Sequence, residues 1–491
     1  MTLEENHPLD QLFKPKNMAV VGATPKKTKS WNSGNSWIAG AMNHDFSGKI
    51  YPVHPRAETI LGYKAYASIK DIPGEVDFAV FTIPAKAALQ VMAECVEKKV
   101  KFVHLLTSGF SETGREEDAE LEKEILAVAQ KGGVRLVGPN CMGVYCPESG
   151  LSWQSEFPHK PGRVGIFSQS GQLASHLVME GYQENLRFSK VVSFGNGADL
   201  QAHDFLEYLG QDPQTEIIGS YLEGVKNGRA FFEAAREVAG RKPLVIWKGG
   251  QTKGGSRATQ SHTAAIAGAP AIWEAMCQQT GIISVHSMPE AIFTMSALKN
   301  MMLPEGVRVA ILGGAGGGSV TMTDLAEKEK LTVPKLSDHT VNELNKFVPL
   351  AGNSVKNPLD VFFNTDDEFM RLMELLRDDQ EIDAMIYDLR IRWMYRELGS
   401  KGMNHMISRI VDGQKTFGKP LMLVMQPEGI AELDAVKKNM ENMFHAEKVA
   451  TFPNFETAAR ILNNLNQYRQ FLESCGYPIW QFGQQASQLK N

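Results

Sequence analysis

A chain of 491 residues is longer than one hydrophobic core organises, so roughly three domains of about 150 residues each are expected. The balance of 43% hydrophobic and 22% charged residues is that of a globular protein and leaves no room for a long disordered part. The net charge of −5 implies no basic face for nucleic acid. Five cysteines (Cys95, Cys141, Cys146, Cys277, Cys475) lack CxxC spacing, which argues against a zinc site and for a reducing compartment. No apolar run approaches the ~20 residues that span a bilayer. The first residues, MTLEENHPLD, lack the apolar core of a secretory signal. A cytoplasmic protein is expected, with no membrane or nucleic-acid partner.

In chain order, NMAVVGAT (17–24) reads as a buried strand running into a Gly-bearing turn, followed by Lys26, Lys27, Lys29 and a helical run. Strand, Gly turn and helix start form the first unit of a Rossmann-type fold. The full GxGxxG fingerprint is absent and no acidic residue follows at dinucleotide spacing, which disfavours a hydride-transfer cofactor. The lysines suit a ligand carrying several phosphates, or equally a solvated face. IYPVHP (50–55), VDFAVFTIP (76–84), VKFVHLLTSGF (100–110) and VRLVGPNCMGVY (134–145) read as further strands, with amphipathic helical runs after the second and third. That alternation implies βαβ units and a parallel sheet. Such sheets bind ligands at the carboxyl ends of their strands. Here those ends are Gly22–Thr24, Arg56, Ile83–Pro84, Thr107–Phe110 and Gly138–Asn140, although Gly, Pro and Asn are also ordinary turn residues.

KPGRVGIFSQSGQLAS (160–175) starts a new strand–turn–helix unit, and PEGVRVAILGGAGGGSV (304–320) repeats it. Aligning Arg163 with Arg308 keeps the strand, the turn and the final glycine. Two similar flavodoxin-like domains are therefore expected after the first, giving divisions 1–147, 148–302 and 303–491. In the second, EIIGSYLEGV (216–225) is an apolar strand with Glu223 at its carboxyl end. The next strand, around Val245, opens into a loop with Gly249, Gly250, Gly254 and Gly255, then Ser261, His262 and Thr263. A carboxylate bonded to one imidazole nitrogen fixes the tautomer and leaves the other nitrogen free to react. Taken alone, the same features describe a flexible surface loop with an incidental histidine and a solvated acid at a strand end. In the third domain NPLDV (357–361), DAMIYDLRIRW (383–393) and KPLMLVM (419–425) are strand candidates, and a helix is expected around Phe455–Leu472. It carries no catalytic constellation of its own. The glycines of Gly313–Ser319 suit an anion or simply a tight turn.

The ordered pieces VVGATP, YPVHPR, VDFAVFTIPA, TSGFSETG, GPNCMG, FSQSG, SFGNGAD, YLEGV, KGGQTKGGSRATQSHTAAIAG, GGAGGG and NPLDV make the chain recognisable. It resembles the α subunit of the NDP-forming acyl-CoA synthetases (acetate–CoA ligase, ADP-forming), relatives of succinyl-CoA synthetase, from about Pro15 to Leu472. The resemblance implies an α/β protein: a Rossmann-like CoA-binding domain followed by two flavodoxin-like, succinyl-CoA-ligase-like domains. It implies that His262 is phosphorylated and that Glu223 bonds the phosphohistidine. CoA would meet Gly22, Ala23, Thr24, Pro25 and Arg56, with Ile83, Pro84, Thr107 and Ser108 lining the cleft. Asn140, Ser168, Gln169, Ser170, Gly171, Gly195 and Asn196 would hold phosphate and the acyl group, and Trp153 and Phe194 are candidates to shape an acyl pocket.

The implied reaction is acyl-CoA + NDP + phosphate = carboxylic acid + CoA + NTP, through acyl phosphate and phosphohistidine. Two departures stand out. Ala264 occupies a position where the family usually has Gly, and no ATP-grasp domain is found. The nucleotide, with Mg²⁺, is therefore expected on a separate ATP-grasp β subunit, making a hetero-oligomer. A CoA- or acyl-CoA-binding regulatory protein on the same fold is the alternative, and an acyltransferase on that fold a third.

Overall fold

The computed structural model describes residues 7–26, 33–255, 257, 270–314, 316–349, 352–361, 363 and 365–484. His262, its neighbours Ser261, Thr263 and Ala264, and Lys27 and Lys29 lie outside the described residues. Two compact units result, Met1–Met288 and Pro289–Asn491.

The uninterrupted apolar runs become parallel strands because both faces of such a sheet are covered. The first sheet contains β1 (Asn17–Val21), β2 (Lys49–Val53), β5 (Phe78–Phe81), β6 (Phe102–Leu105) and β7 (Arg135–Val137), in the order β2-β1-β5-β6-β7. Between β2 and β5 a small hairpin, β3 (Thr59–Ile60) with β4 (Tyr63–Lys64), forms its own two-stranded sheet, and Tyr66 just beyond it bridges Val53 of β2. All four residues of β5 and of β6 are buried. Helix Gly34–Asn43 begins where Ser33 and Ser36 form a capping box, satisfying amides that have no partner inside the helix.

The run 134–145 differs from its expectation as a single strand. It yields two strands, β7 and then β8 (Gly143–Tyr145), and β8 leaves the first sheet to pair antiparallel with the second. Pro139 supplies no N–H, and Asn140 takes a left-handed φ of 57°, so pairing stops between them. The second sheet adds β9 (Val164–Ser168), β10 (Phe188–Ser193), β11 (Ile217–Leu222), β12 (Leu244–Lys248) and β13 (Ile283–Val285), in the order β13-β12-β11-β9-β10-β8. Its parallel part has the flavodoxin strand order.

The unit Pro289–Asn491 holds β14 (Val309–Leu312), β15 (Ala384–Asp388), β16 (Leu421–Val424) and β17 (Ala450–Phe452), in that order and all parallel. Helix Phe455–Ser474 follows, as the apolar spacing implies. Where the earlier sheet has β10, the described residues here show isolated parallel bridges, Arg308 with Thr332 and Leu312 with Leu359. NPLDV is not a strand. The Asn357 side chain receives Ile311 N and donates to Val309 O and Pro334 O, and Pro358 lacks a donor, so a ladder gives way to isolated bridges at Leu359 and Asp360. Residues 383–393 split likewise: β15 ends at Asp388 and a helix begins at Ile391.

The internal repeat extends beyond the aligned strands. Arg163 pairs with Glu216, just before β11, and Arg308 pairs with Asp383, just before β15, through Nε at 3.0 Å and Nη2 at 2.7 Å. Lys242 Nζ donates to the carbonyls of Leu209 and Asp212, and Lys419 Nζ to those of Leu376, Asp379 and Ile382. Each lysine thus closes the carboxyl end of one helix in its own copy, where carbonyls have no partner within the helix.

Among the described residues no helix is long and apolar enough to cross a membrane. Cys95, Cys141, Cys146 and Cys277 are buried free thiols, and Cys475 is exposed.

His104 on β6 is fully buried between the rings of Trp37 and Phe78. Its Nε2 stands 3.0 Å from Cys141 O, so the proton sits on Nε2. Burial holds its pKa down to about 4. The unfolded chain takes up a proton near the ordinary value of about 6.5, whereas the folded chain does not until about pH 4. This contribution is complete above pH 6.5 and lost as pH falls towards 4, roughly 3 kcal/mol at about 1.4 kcal/mol per pH unit. Urea denaturation should show stability falling across that window, and His104→Gln should flatten the slope; an unchanged slope excludes this assignment.

Candidate functional site

The carboxyl ends of β9, β10, β11 and β12 lie along one edge of the second sheet. Ser168 is in register with both Ser193 and Tyr221, and Leu222 with Lys248. The candidates Ser168–Gly171, Gly195, Asn196 and Glu223 therefore gather with the start of the glycine-rich segment that leads to His262.

Ser168 is fully buried and its hydroxyl is used within the turn: Oγ donates to Ser170 O and accepts from Ser170 N. Ser170 caps helix Gly171–Gln183 by accepting from Leu173 N. The first amides of such a helix form an anion-attracting terminus. Gln169 Oε1 accepts from the backbone nitrogens of Glu223 and Gly224 at 2.5 and 3.0 Å, which ties that terminus to the end of β11.

Glu223 is 6% exposed. The Tyr221 hydroxyl donates to its Oε1 at 3.3 Å. Lys248 Nζ donates to Glu223 O at 2.7 Å and Gly249 O at 2.6 Å. Burial pulls the Lys248 pKa down, against the opposing pull of the Glu223 carboxylate. Burial also pushes the Tyr221 hydroxyl up, with the Glu223 charge adding to it, so that hydroxyl keeps its proton and donates at neutral pH. A Cβ on Gly249 would lie 2.6 Å from the Tyr221 hydroxyl, so only glycine lets the chain pass. Tyr221 and Lys248 escaped the sequence reading. The signal for Tyr221 is its place two residues before Glu223, which puts both side chains on one face of a strand.

On the first sheet, Gly22, Ala23, Thr24 and Pro25 form the turn after β1. Ala23 is fully buried and shapes that turn from beneath. Thr24 is held on both sides by Asn35, which accepts from Thr24 N at 2.8 Å and donates to Thr24 O at 2.9 Å. The Thr107 hydroxyl donates to Ile83 O at 2.7 Å, and Thr107 O accepts from Asn140 N at 2.9 Å, so the ends of β5, β6 and β7 meet. Pro25, Arg56, Pro84 and Ser108 are exposed.

The two sheets join at this edge. Pro139 O accepts from Asn196 N at 3.0 Å, and Gly138 O from Ala198 N at 2.9 Å. Gly195 has φ 51°, and a Cβ there would stand 2.2 Å from Pro139 O. Asn140, Gly195 and Asn196 are thereby brought together. Trp153 and Phe194 belong instead to the core: the indole donates to Ser175 Oγ at 3.2 Å, and Phe194 packs between Phe167 and Phe205.

The CoA binding domain family matches residues 16–147, and the succinyl-CoA ligase like flavodoxin domain matches 161–298. The chain is 39% identical over 381 residues to the acetate–CoA ligase [ADP-forming] II subunit alpha of Pyrococcus furiosus, covering 77% of this chain and 81% of that one. It is 34% identical over 469 residues to the acetate–CoA ligase [ADP-forming] II of Archaeoglobus fulgidus, covering 94% and 67%. The dinucleotide forming acetyl-coenzyme A synthetase 1 of Ca. Korarchaeum cryptofilum, solved with phosphate and ADP, superposes with a TM-score of 0.79 at 32% identity, over 95% of this chain and 98% of that one.

Tyr221→Phe removes one donor from a buried carboxylate and should cost about 1 kcal/mol. Lys248→Met leaves two carbonyls without their donor and should cost roughly 2–3 kcal/mol. Equilibrium denaturation of both variants checks the order, and a smaller loss for Lys248→Met contradicts its bridging role.

Proposed function

The chain belongs to the ADP-forming acyl-CoA synthetases, acid–thiol ligases that use CoA and a nucleotide, and on that premise we propose that His262 carries the phosphoryl group between them. Glu223 is its partner carboxylate. The observation that supports this is a buried carboxylate that accepts from Tyr221, on a backbone held by Lys248, at the root of the segment that leads to His262.

A phosphate oxygen attacks the thioester carbonyl, the C–S bond breaks, and CoA departs as thiolate and takes up a proton. An imidazole nitrogen of His262 then attacks phosphorus, and the P–O bond to the acyl group breaks to release the carboxylic acid. The phosphoryl group finally passes to the β-phosphate of the diphosphate. Glu223 accepts from the second ring nitrogen and offsets the charge that develops on the ring. Thioester, acyl phosphate and phosphohistidine all have high transfer potential, so the protein contributes mainly placement and amide donors.

CoA is assigned to Gly22–Pro25, Arg56, Ile83, Pro84, Thr107 and Ser108, and the phosphate and acyl group to Asn140, Ser168–Gly171, Gly195 and Asn196. On this reading the chain divides as 1–147, 148–302 and 303–491. The nucleotide, with Mg²⁺, is assigned to a separate ATP-grasp subunit. The Pyrococcus furiosus relative is named a subunit alpha, whereas this chain spans 67% of the single-chain relative from Archaeoglobus fulgidus. The unpaired cysteines suit a cytoplasmic location.

With γ-labelled ATP and the partner subunit, His262 should acquire acid-labile, base-stable phosphate, and His262→Ala should acquire none. Glu223→Gln should slow the labelling about a hundredfold. An unlabelled wild-type complex would instead mark a CoA-binding regulatory protein.

A further inference from the structure

The segments assigned to CoA and to the acyl group meet at a single side-chain amide. Asn196 is 3% exposed, and its Nδ2 faces Glu112 Oε2 at 2.7 Å, Glu122 Oε2 at 3.0 Å and Ser111 Oγ at 3.3 Å. An amide nitrogen has two hydrogens. The two carboxylates take them, because charge-assisted bonds are the stronger ones, and the Ser111 oxygen, which itself donates to Glu122 Oε2 at 2.7 Å, is the most distant of the three acceptors. The amide is thereby oriented, with its nitrogen towards the acids and Oδ1 towards Asn140 Nδ2 at 3.5 Å. Asn196 therefore has no side-chain donor left for an acyl or phosphoryl oxygen, and its part in the subsite assigned above is to position Asn140 rather than to bind. What it supplies is an acceptor that steers Asn140.

Glu112 also reaches in the opposite direction. Its Oε1 accepts from Gly109 N at 2.6 Å and Phe110 N at 3.2 Å, the two residues that follow Thr107 and Ser108. One carboxylate thus places one oxygen on each segment. We propose that Glu112 is a positioning residue that couples the CoA-contacting segment Thr107–Phe110 to the orientation of Asn196 and Asn140 where the acyl group is transferred. The proposal rests on the assignment of those two segments given above.

The chemistry specifies this residue type. A glutamine accepts on one side only, so it must present N–H groups either to Asn196 Nδ2 or to the Gly109 and Phe110 amides. An aspartate is one methylene too short to touch both. Glu122 is the natural comparison. It bonds Asn196, Ser111 N and Ser111 Oγ but neither Gly109 nor Phe110, so it grips only the later part of the segment. Lys226, whose Nζ donates to Gly197 O at 3.2 Å, interacts electrostatically with Glu122, not with Glu112.

The test uses the complex with the nucleotide-binding subunit and compares wild type, Glu112→Gln, Glu112→Asp and Glu122→Gln. Labelling of His262 by ATP reads the nucleotide side. Discharge of the labelled enzyme by acetate and CoA, with the KM for CoA, reads the coupled side. For both Glu112 variants labelling should stay within about twofold of wild type, discharge should fall about tenfold, as loss of one charged hydrogen bond implies, and the KM for CoA should rise several-fold. Glu122→Gln should leave the KM for CoA within about twofold. Wild-type discharge and KM in either Glu112 variant overturn the proposal, as does a fall of labelling and discharge in equal proportion, which marks a general structural defect. If the wild-type complex takes no label at all, the phosphohistidine reading fails first, and the coupling with it.

Discussion

A parallel sheet satisfies its backbone only as far as its strands run. Beyond the last paired residue, each N–H and C=O that stays buried needs another partner. In this protein side chains fill that need, and the same side chains build the site. Gln169 accepts the two amides that follow β11, Lys248 closes one carbonyl just after β11 and one just after β12, Glu112 accepts the amides of Gly109 and Phe110, and Asn35 holds both backbone polar groups of Thr24. Each bond ends a strand and fixes a loop in one act. The backbone of Glu223 is thus held at both its N–H and its C=O, and its buried carboxylate accepts from Tyr221.

Much of the architecture was legible because buried parallel strands write themselves as apolar runs. Val76–Pro84 and Phe102–Leu105 read directly as strands for that reason. The failures have one cause: hydrophobicity reports burial, not pairing. In 134–145 the apolar character persists while Pro139 and Asn140 end the ladder, so one run serves two sheets. In NPLDV the buried residues lie beside β14, but Asn357 occupies the ladder positions with its side chain. In the sequence Glu223 reads as an acid at a strand end and His262 as an imidazole in a glycine-rich run, and of the two only Glu223 is among the described residues. Tyr221 was concealed as an ordinary strand aromatic. Glu112 is one acid in a stretch rich in them, and only the fold shows that its two oxygens serve two loops.

The internal repeat separates scaffold from chemistry. Both copies keep the arginine–acid pair ahead of the second central strand and the lysine that closes a helix end. The site residues diverge: Gly313 and Gly314 stand in the places of Ser168 and Gln169, and Arg390 in that of Glu223. The clamps hold a strand order, which either copy needs. The carboxylate at position 223 and the Ser168–Gln169 turn have no counterpart in the second copy.

The strand that changes sheets has a consequence for how the molecule can be divided. Gly143–Tyr145 covers the outer side of Phe188–Ser193, which would otherwise present open backbone groups to any passing chain. A cut placed after Tyr145 would deliver the amino-terminal lobe with a stray segment and leave its neighbour with a raw, adhesive border. The two lobes share a seam rather than a tether. Insertion or recombination there would have to carry this short stretch along with the lobe it seals, not the lobe it follows in the chain.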